Sequence, residues 1–293
     1  MSSRERAAST ADGRGVRGGR PAGGTVQLLG NEMATQFRRR RTWAMLGALA
    51  LIPILIAIAI RLVGGSNPGR GPAFLDQIAG NGLFVGLAAM TVAIPLFLPL
   101  TVSVASGDAI AGEAGHGTLR YLLLAPAGRV RLLVVKYLFA AAFCIAGTLT
   151  VVVVGSLAGW ALFPVGPVTL LSGAQVSVGE GLIRLLAIAA YVSVSLLGLS
   201  AIGLFFSTLT TVPIGAMAAT AILAVTAQIV GAIPQLEALH PWLFTDRWLE
   251  FADLLRSPMV WDSFAGNAVL QAGYVLVFGG AAIARFVTKD VLS

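Results

Sequence analysis

The sequence predicts an all-α membrane protein with six transmembrane helices, and two observations support this prediction. Of the 293 residues, 57% are hydrophobic and only 11% are charged, whereas a soluble domain carries about 25% charged residues. The apolar residues also come in long blocks of roughly 20 or more, the length needed to cross the ~30 Å hydrocarbon core of a bilayer. A helix is the expected spanning element because it satisfies its own backbone polar groups.

The first 42 residues precede the apolar blocks and divide into two parts. Residues 1–24 are rich in Gly, Arg, Ser and Ala, a composition typical of a disordered tail. Residues 25–42 carry an apolar stripe at helical spacing that ends at four consecutive arginines: Val26, Leu29, Met33 and Phe37, then Arg38 to Arg41. This pattern predicts an interfacial connecting helix with its stripe in the lipid and its arginines at the headgroups. An ordinary stop-transfer charge cluster is the alternative.

Six apolar spans follow within a predicted transmembrane domain of residues 43–290. They run from Trp43 to Val63, Leu83 to Val104, Leu132 to Phe163, Leu182 to Phe206, Val212 to Ile233, and Phe264 to Phe286. The third block is longer than one crossing needs, so its helix is expected to tilt or to protrude beyond the bilayer.

The distribution of Lys and Arg predicts that both termini are cytoplasmic in the cell membrane. With the N-terminus inside, fifteen basic residues fall on the cytoplasmic side and five on the outer side, as the positive-inside rule requires. The same placement argues against nucleic-acid binding, although the net charge is +7 and the pI about 10.5. The basic residues flank the spans and do not form a stripe that could follow a phosphate backbone.

Small residues within the spans predict close helix packing. Gly82 and Gly86 form one pair spaced by four residues, and Gly155 and Gly159 form another. Such pairs let helix backbones approach closely where lipid removes the hydrophobic driving force. The single cysteine, Cys144, lies in an apolar run, so it is interpreted as a small lipid- or core-facing residue with no disulfide partner in the chain.

Few ionisable residues fall within the spans, which argues against an ion-coupled carrier. Arg61, Arg184 and Arg285 lie near span ends and are expected to snorkel to the interface. Gln228 and Gln271 are polar but do not titrate. Two interpretations remain open for these glutamines, namely hydrogen bonds across helices and the lining of a substrate path.

The chain carries no signature of a catalytic centre. It has no G-x-x-x-x-G-K-[ST] phosphate loop, so ATP binding would require another protein. Its two histidines, His116 and His240, are read as solvated or locally bonded side chains. No metal site and no catalytic residue is expected.

The most informative segment is residues 106–131, between the second and third spans. Asp108 and Glu113 are acidic residues placed against the positive-inside trend. Gly112, Gly115 and Gly117 permit tight backbone approach or a turn. Thr118 can cap a short helix with an apolar stripe that ends before Pro126. The predicted result is a short amphipathic helix on an acidic, Gly-rich stem, suited to contact with a soluble partner.

This segment resembles the permease subunits of bacterial ABC-2-type transporters. Their pattern is D-x-I-x-G-E-x-x-x-G-T-L-x-x-L-L-x-x-P-x-x-R. The matching residues here are Asp108, Ile110, Gly112, Glu113, Gly117, Thr118, Leu119, Leu122, Pro126, Arg129 and Lys136. Ala127 and His116 depart mildly from the residues common in the family.

The resemblance implies a type V ABC exporter-like fold with a cytoplasmic coupling helix between helices 2 and 3. It implies two permease chains, as a homodimer, with two separate ATP-binding cassette subunits that hold the ATP and Mg; this chain itself would hold no cofactor. By carry-over, the coupling contact to the ATPase comprises Asp108, Gly112, Glu113, Gly117, Thr118, Leu119 and Arg120. The substrate path is assigned to Gln228 and Gln271 on weaker grounds.

The segment of residues 234–263 precedes the last span on the predicted outer side. Leu236, Leu239 and Leu243, and then Trp248, Phe251 and Leu255, recur at helical steps. Trp242, Trp248 and Trp261 suit an interfacial position. The segment resembles the re-entrant or surface helices of the family, and a loop resting on the membrane is the alternative.

The function expected from these features is ATP-driven export of a hydrophobic or amphipathic compound, such as a drug, an antibiotic or a lipid-like molecule. An apolar pathway suits such cargo better than an ion or a sugar. Two alternatives remain. One is an ABC-2 permease that serves metalloenzyme maturation. The other is a non-transporting ABC transmission protein, which the short outer loops disfavour.

Overall fold

Helices dominate the protein in a computed structural model, which describes residues 25–64, 81–115, 128–170 and 172–288. The α-helices are α1 (Thr25–Arg38), α2 (Arg40–Gly64), α3 (Leu83–Val92), α4 (Leu98–Gly115), α5 (Arg129–Leu162), α6 (Val178–Ser195), α7 (Leu197–Leu209), α8 (Pro213–Gly231) and α9 (Asp262–Thr288). A π-helical turn, Ala93–Phe97, joins α3 to α4. Two 3₁₀ helices, Pro234–Trp242 and Asp246–Leu255, lie between α8 and α9. A two-stranded antiparallel hairpin pairs β1 (Val168–Thr169) with β2 (Gln175–Val176).

Within the described residues, six helical segments are long and apolar enough to cross a membrane, which confirms the all-α, six-span prediction. These segments are Arg40–Leu62, Leu83–Gly115, Arg129–Leu162, Val178–Leu209, Pro213–Gly231 and Asp262–Thr288. The second combines α3, the π-helical turn and α4, and the fourth combines α6 and α7. Five of the six agree with the predicted bounds to within a few residues.

The second span is the exception, because its helix continues to Gly115 and does not end near Val104. Gly112 and Gly115 are therefore helical, and the acidic, Gly-rich stem that contains Asp108 continues the helix of the second span. Alanines with high helix propensity separate the glycines. Gly107 lets α4 approach α8 closely, since a Cβ there would lie 2.8 Å from the backbone nitrogen of Met217.

The two predicted glycine pairs pack directly against each other. Gly82, at the N-terminus of α3, lies against Gly159 of α5, and a Cβ at either position would overlap the carbonyl group of the other. One turn further along, a Cβ at Gly155 would lie 2.7 Å from the Gly86 Cα. The backbones of α3 and α5 are thus in contact over two turns, which is the arrangement that small residues allow within a membrane.

The buried core lies where α3, α5, α6 and α7 meet. Met90, Phe143, Tyr191 and Ile202 are fully buried there, and so is Cys144, which confirms the interpretation of the cysteine as a small core residue. α7 packs against α4, α8 and α9. The chain therefore forms a bundle in which α2 and α9 present most of their surface outward.

The segment before α9 is helical, but the spacing of its buried side chains differs from the predicted spacing. Buried side chains recur at steps of three in the second 3₁₀ helix, at Trp248, Phe251 and Leu254. A 3₁₀ helix aligns residues three apart, so Leu254 is buried where an α-helical period predicted Leu255. Trp248 is buried within the protein, and its Nε1 donates to the Ser195 carbonyl over 3.0 Å. Trp242 and Trp261 are exposed.

Arg184 does not snorkel, contrary to the prediction. It is buried on α6, and its Nη1 donates to the carbonyl oxygens of Leu254, at 2.8 Å, and Arg256, at 2.7 Å. Its Nη2 donates to Glu180 Oε1 over 2.7 Å. The guanidinium therefore anchors the C-terminal end of the second 3₁₀ helix, because an arginine offers several donors in a fixed geometry.

Helix α1 ends at Arg38, four residues before the end of the predicted connecting helix at residue 42, and part of its apolar stripe packs on protein. The Phe37 ring lies 5.6 Å from the Phe139 ring of α5, centroid to centroid, in an edge-to-face arrangement. Gln36 is buried, and the Thr42 hydroxyl donates to the Gln36 carbonyl over 2.7 Å, across the junction between α1 and α2. α1 is thus fixed against the bundle at the start of the first span.

Candidate functional site

The candidate site lies at the end of the bundle that carries α1, around the last two turns of α4. Asp108, Gly112 and Glu113 belong to these turns. The other four predicted coupling residues, Gly117 to Arg120, lie outside the described residues, as does the predicted short amphipathic helix. The structure therefore describes the stem of the coupling segment and the side chains that hold this stem.

Lys136 is the centre of the stem's ion-pair network. Only 1% of its side chain is exposed, and its Nζ donates to Glu113 Oε1 over 3.0 Å and to Glu32 Oε1 over 2.7 Å. Gln36 Nε2 donates to the same Glu32 oxygen over 2.8 Å. A buried ammonium ion requires such partners, because it has lost its hydration. The network joins α1, α4 and α5 through charged side chains.

Two arginines extend this network to the first span. Arg41 Nη1 donates to Asp108 Oδ2 over 2.8 Å, and its Nη2 lies 3.2 Å from Met217 Sδ on α8. Arg39 Nη2 lies 3.8 Å from Glu113 Oε1. Each arginine side chain is 45% exposed, so these pairs are screened by solvent and contribute less to stability than the buried Lys136 pairs.

Two small residues fix the geometry of the stem. A Cβ at Gly112 would lie 2.7 Å from Asp108 Oδ1, so the glycine leaves room for the carboxylate to fold along the helix toward Arg41. On the opposite side, the Ser207 hydroxyl of α7 accepts hydrogen bonds from the backbone nitrogens of Ile110, at 2.9 Å, and Ala111, at 2.8 Å. The pattern Asp108-x-x-x-Gly112-Glu113 thus has a structural reason.

A cavity of about 330 Å³ opens beside the stem between α1, α2, α4 and α5. Gln36, Arg39, Arg41, Asp108 and Glu113 form its polar wall. Thr42 is a further polar lining residue, and the apolar lining residues include Met45, Val104 and Phe139. On this side Arg41 and Asp108 join α4 to the start of α2, and Lys136 joins α4 to α1 and α5.

Sequence reasoning missed the roles of Glu32, Gln36, Lys136 and Ser207. Lys136 had a usable signal, because it lies inside the predicted third span, where an ionisable residue needs a partner. Glu32 was a candidate partner, as an acidic residue on the amphipathic α1. Nothing in the sequence indicated that Ser207 would bind the backbone of α4.

The two predicted substrate-path glutamines both make hydrogen bonds between elements. Gln271, on α9, is buried, and its Nε2 donates to the Phe244 carbonyl over 2.8 Å. Gln228 Nε2 donates to the Pro95 carbonyl over 2.8 Å. That carbonyl lacks its usual helical donor, because Pro99, four residues later, has no N–H. Gln228 lines a cavity of about 230 Å³, with Pro95, Thr245 and Asp246 among its other residues.

The comparison with protein families decides the identification. A family model described as "ABC-2 family transporter protein" matches residues 28–235, which is more than half of the chain. The protein belongs to the ABC-2 transporter family. A search of curated proteins finds no match to the chain.

The family match gives the chemical context of the site. An ABC-2 permease is the membrane component of an ABC transporter, and the family implies an ATP-binding partner. The match includes α1 from residue 28 onward, the whole ion-pair network and the spans from α2 to α8. Most of the first 3₁₀ helix, the second 3₁₀ helix and α9 lie beyond it.

Proposed function

We propose that the chain is the permease subunit of an ATP-driven exporter of hydrophobic or amphipathic compounds, with both termini cytoplasmic. Two copies would associate with two ATP-binding cassette subunits, which hold the ATP and Mg. The observation that carries the coupling part of this proposal is the Lys136 network. It connects the stem of the predicted coupling segment to α1 and α5 through a buried cation.

The proposal gives the predicted coupling residues different tasks, and the ion-pair network supports this division. The carboxylates of Asp108 and Glu113 are engaged by Arg41 and Lys136 of the same chain. Their task is therefore to transmit displacement of the coupling segment to α1 and the first span. Direct contact with the ATPase falls to Gly117, Thr118, Leu119 and Arg120, further along the segment. ATP binding to the partner would then bias a two-state arrangement of the bundle.

The proposed cargo follows from the chemistry of the spans. Among the described residues, Lys136 and Arg184 are the buried charged side chains, and both are neutralised by acidic partners. The outward faces of the π-helical turn and α8 are apolar, with Leu96, Phe97 and Ile222 exposed. Gln228 adds one polar group beside the π-helical turn. An apolar surface with a single amide suits an amphipathic molecule.

The coupling test separates docking from transmission. The chain is purified with the ATP-binding cassette subunit that accompanies it, as wild type, Leu119→Arg and Glu113→Gln. Leu119→Arg should lose the ATPase from the complex. Glu113→Gln should retain it but reduce the stimulation of ATP hydrolysis by substrate. Arg40→Gln, at an exposed arginine of the same cluster, serves as the control and should match wild type in both measurements.

Two results contradict the proposal. If the wild-type chain brings down no ATPase, the permease function is wrong. If the complex forms but its rate of ATP hydrolysis is unchanged by every hydrophobic compound and rises with a sugar or a metal chaperone, the proposed substrate class is wrong. Gln228→Leu should change the concentration dependence of stimulation by amphipathic compounds, and Gln271→Leu provides the comparison at the buried glutamine.

A further inference from the structure

A second cavity, remote from the ion-pair network, lies between α3, α5 and α6. Its volume is about 360 Å³. Ten of its eleven lining residues are apolar, among them Leu83, Leu157, Leu182 and Leu186. The remaining one is Ser156 of α5. A cavity of this composition stays free of water, and in a membrane protein its opening faces lipid.

Trp160 locates the cavity in the bilayer. Its side chain is 70% exposed and lies at the edge of the cavity, near the C-terminus of α5. Exposed tryptophans of spanning helices concentrate at the membrane–water interface. Ser156 lies one turn deeper, which is about 6 Å at 1.5 Å per residue. The cavity therefore lies at the depth where phospholipid headgroups give way to acyl chains.

Ser156 has an unused hydrogen-bonding group at this depth. Its Oγ is buried and has no hydrogen-bond partner among the described residues. A serine within a helix usually donates to the carbonyl four residues earlier, and Ser103 and Ser106 do so here. A buried hydroxyl without a partner costs free energy. An acceptor supplied by a ligand in the cavity would remove this cost.

The walls of the cavity are rigid on one side. Gly155 and Gly159 flank Ser156 and hold α5 in backbone contact with α3. On the other side, α6 contributes Leu182 and Leu186 but contacts α3 only slightly. The cavity is thus a preformed gap at the junction of α6 with the α3–α5 pair.

We propose that this cavity binds one acyl chain of a membrane phospholipid, with the Ser156 hydroxyl donating to the ester carbonyl at the head of that chain. The apolar walls contact the chain, the hydroxyl donates to the ester carbonyl, and the opening near Trp160 leaves the headgroup in the interface. Only the choice of leaflet depends on the proposed function: with a cytoplasmic N-terminus, the lipid comes from the outer leaflet.

The experiment measures lipid retained by the purified full-length chain. The chain is reconstituted in nanodiscs that contain equal amounts of an ester-linked phosphatidylglycerol and its ether-linked analogue. It is then transferred to mild detergent, and bound lipid is counted by native mass spectrometry. Wild type should retain one phospholipid per chain, with roughly a 3- to 10-fold excess of the ester form, as expected for one hydrogen bond.

Three variants test the two parts of the site. Ser156→Ala should retain lipid without preference between the ester and ether forms, because only the carbonyl contact is lost. Leu157→Trp fills the opening and should lose the retained lipid. Ile145→Trp is the matched control, since it lies on the same helix with similar exposure, 50% against 56%, but outside the cavity; it should behave as wild type.

The proposal is overturned if Leu157→Trp retains as much lipid as Ile145→Trp, or if wild type retains ester and ether lipids equally. Ser156→Ala preserves the cavity, so its result stands even if Leu157→Trp folds poorly. Association with the ATPase is measured on the same preparations. If the wild-type chain does not associate with the ATPase, the proposed function is contradicted but the lipid result is unchanged. Failure of the proposed function and failure of the lipid proposal are therefore distinguishable.

Discussion

Lys136 Nζ lies 3.0 Å from a carboxylate oxygen of Glu113, at the end of the bundle where the second span ends and the third begins. The same ammonium group also binds Glu32 of α1. A single buried cation therefore joins α4 and α5 to α1, whose Glu32 lies 104 residues before Lys136. It fixes the orientation of α4 just before the segment in which the coupling contact is predicted.

Replacement of this cation should destabilise the fold. Lys136→Met removes the buried cation that Glu32 and Glu113 share and leaves Arg39, 3.8 Å from Glu113, as a more distant and partly exposed cation. The free energy of unfolding should therefore fall, by up to about 3–5 kcal/mol. The double variant Lys136→Met/Glu113→Gln should recover part of this loss, because one uncompensated charge is removed. Denaturant unfolding in detergent micelles, followed as a double-mutant cycle, checks this. Additive effects of the two substitutions would show that the residues do not interact.

The contact between α3 and α5 should not tolerate a methyl group. Gly159→Ala places a Cβ against the Gly82 carbonyl, so the helices must separate, at a cost of about 1–3 kcal/mol or more. Gly273→Ala on α9 is the matched control, because nothing lies within 4 Å of a Cβ there. It should be neutral or stabilising by up to about 1 kcal/mol. Thermal unfolding of both variants makes the comparison, and equal unfolding temperatures would contradict the close packing.

Arg184 should control the order of the second 3₁₀ helix. Arg184→Gln removes the donors that reach the Leu254 and Arg256 carbonyls, so hydrogen exchange across residues 246–256 should accelerate. The expected loss of stability is about 1–3 kcal/mol, the cost of buried carbonyls left without donors. Arg256→Gln, at a largely exposed side chain, is the control. If the two variants exchange at the same rate, Arg184 does not anchor the segment.

Glu250, in the same 3₁₀ helix, should make stability fall as pH rises. Burial raises the pKa of this carboxyl above its ordinary value, and Arg247 only partly opposes the effect. Because the folded state then binds more protons than the unfolded state between the two pKa values, stability decreases with rising pH across that window. Glu250→Gln should remove this component.

The measurement is the difference in unfolding temperature between wild type and Glu250→Gln from about pH 4 to pH 7. The difference should grow in favour of the variant as pH rises. Glu237→Gln, at an exposed glutamate of the first 3₁₀ helix, should show no such trend. A constant difference for Glu250→Gln would mean that its burial does not influence its ionisation.

The local features of the sequence predicted the spans well because hydrophobic length depends little on tertiary context. The glycine pairs were also readable, since the spacing of Gly82 and Gly86 matches that of Gly155 and Gly159. The sequence did not show whether the segment before α9 is an α-helix or a 3₁₀ helix, because its apolar residues recur at mixed steps of three and four, which fit both. Burial of Trp248 and Leu254 against α6 selects the 3₁₀ form.

The candidate site was only half predictable. The acidic residues of the stem and the partner they imply came from the pattern around Asp108 and Glu113. That these carboxylates are bound by Arg41 and Lys136 of the same chain could not be read from sequence, because the residues lie up to 67 positions apart. The same holds for Arg184, whose place near a span end suggested an interfacial position and not an internal anchor.

The sequence by itself determined the membrane environment, the six spans and the family, because these follow from apolar length, charge asymmetry and a local motif. The tertiary structure decided which charges are buried and paired, how far α4 extends, and where cavities remain. Those outcomes depend on desolvation and on contacts between helices distant in sequence. The ion pairs of Lys136 and the unpartnered hydroxyl of Ser156 became visible only once the helices were packed.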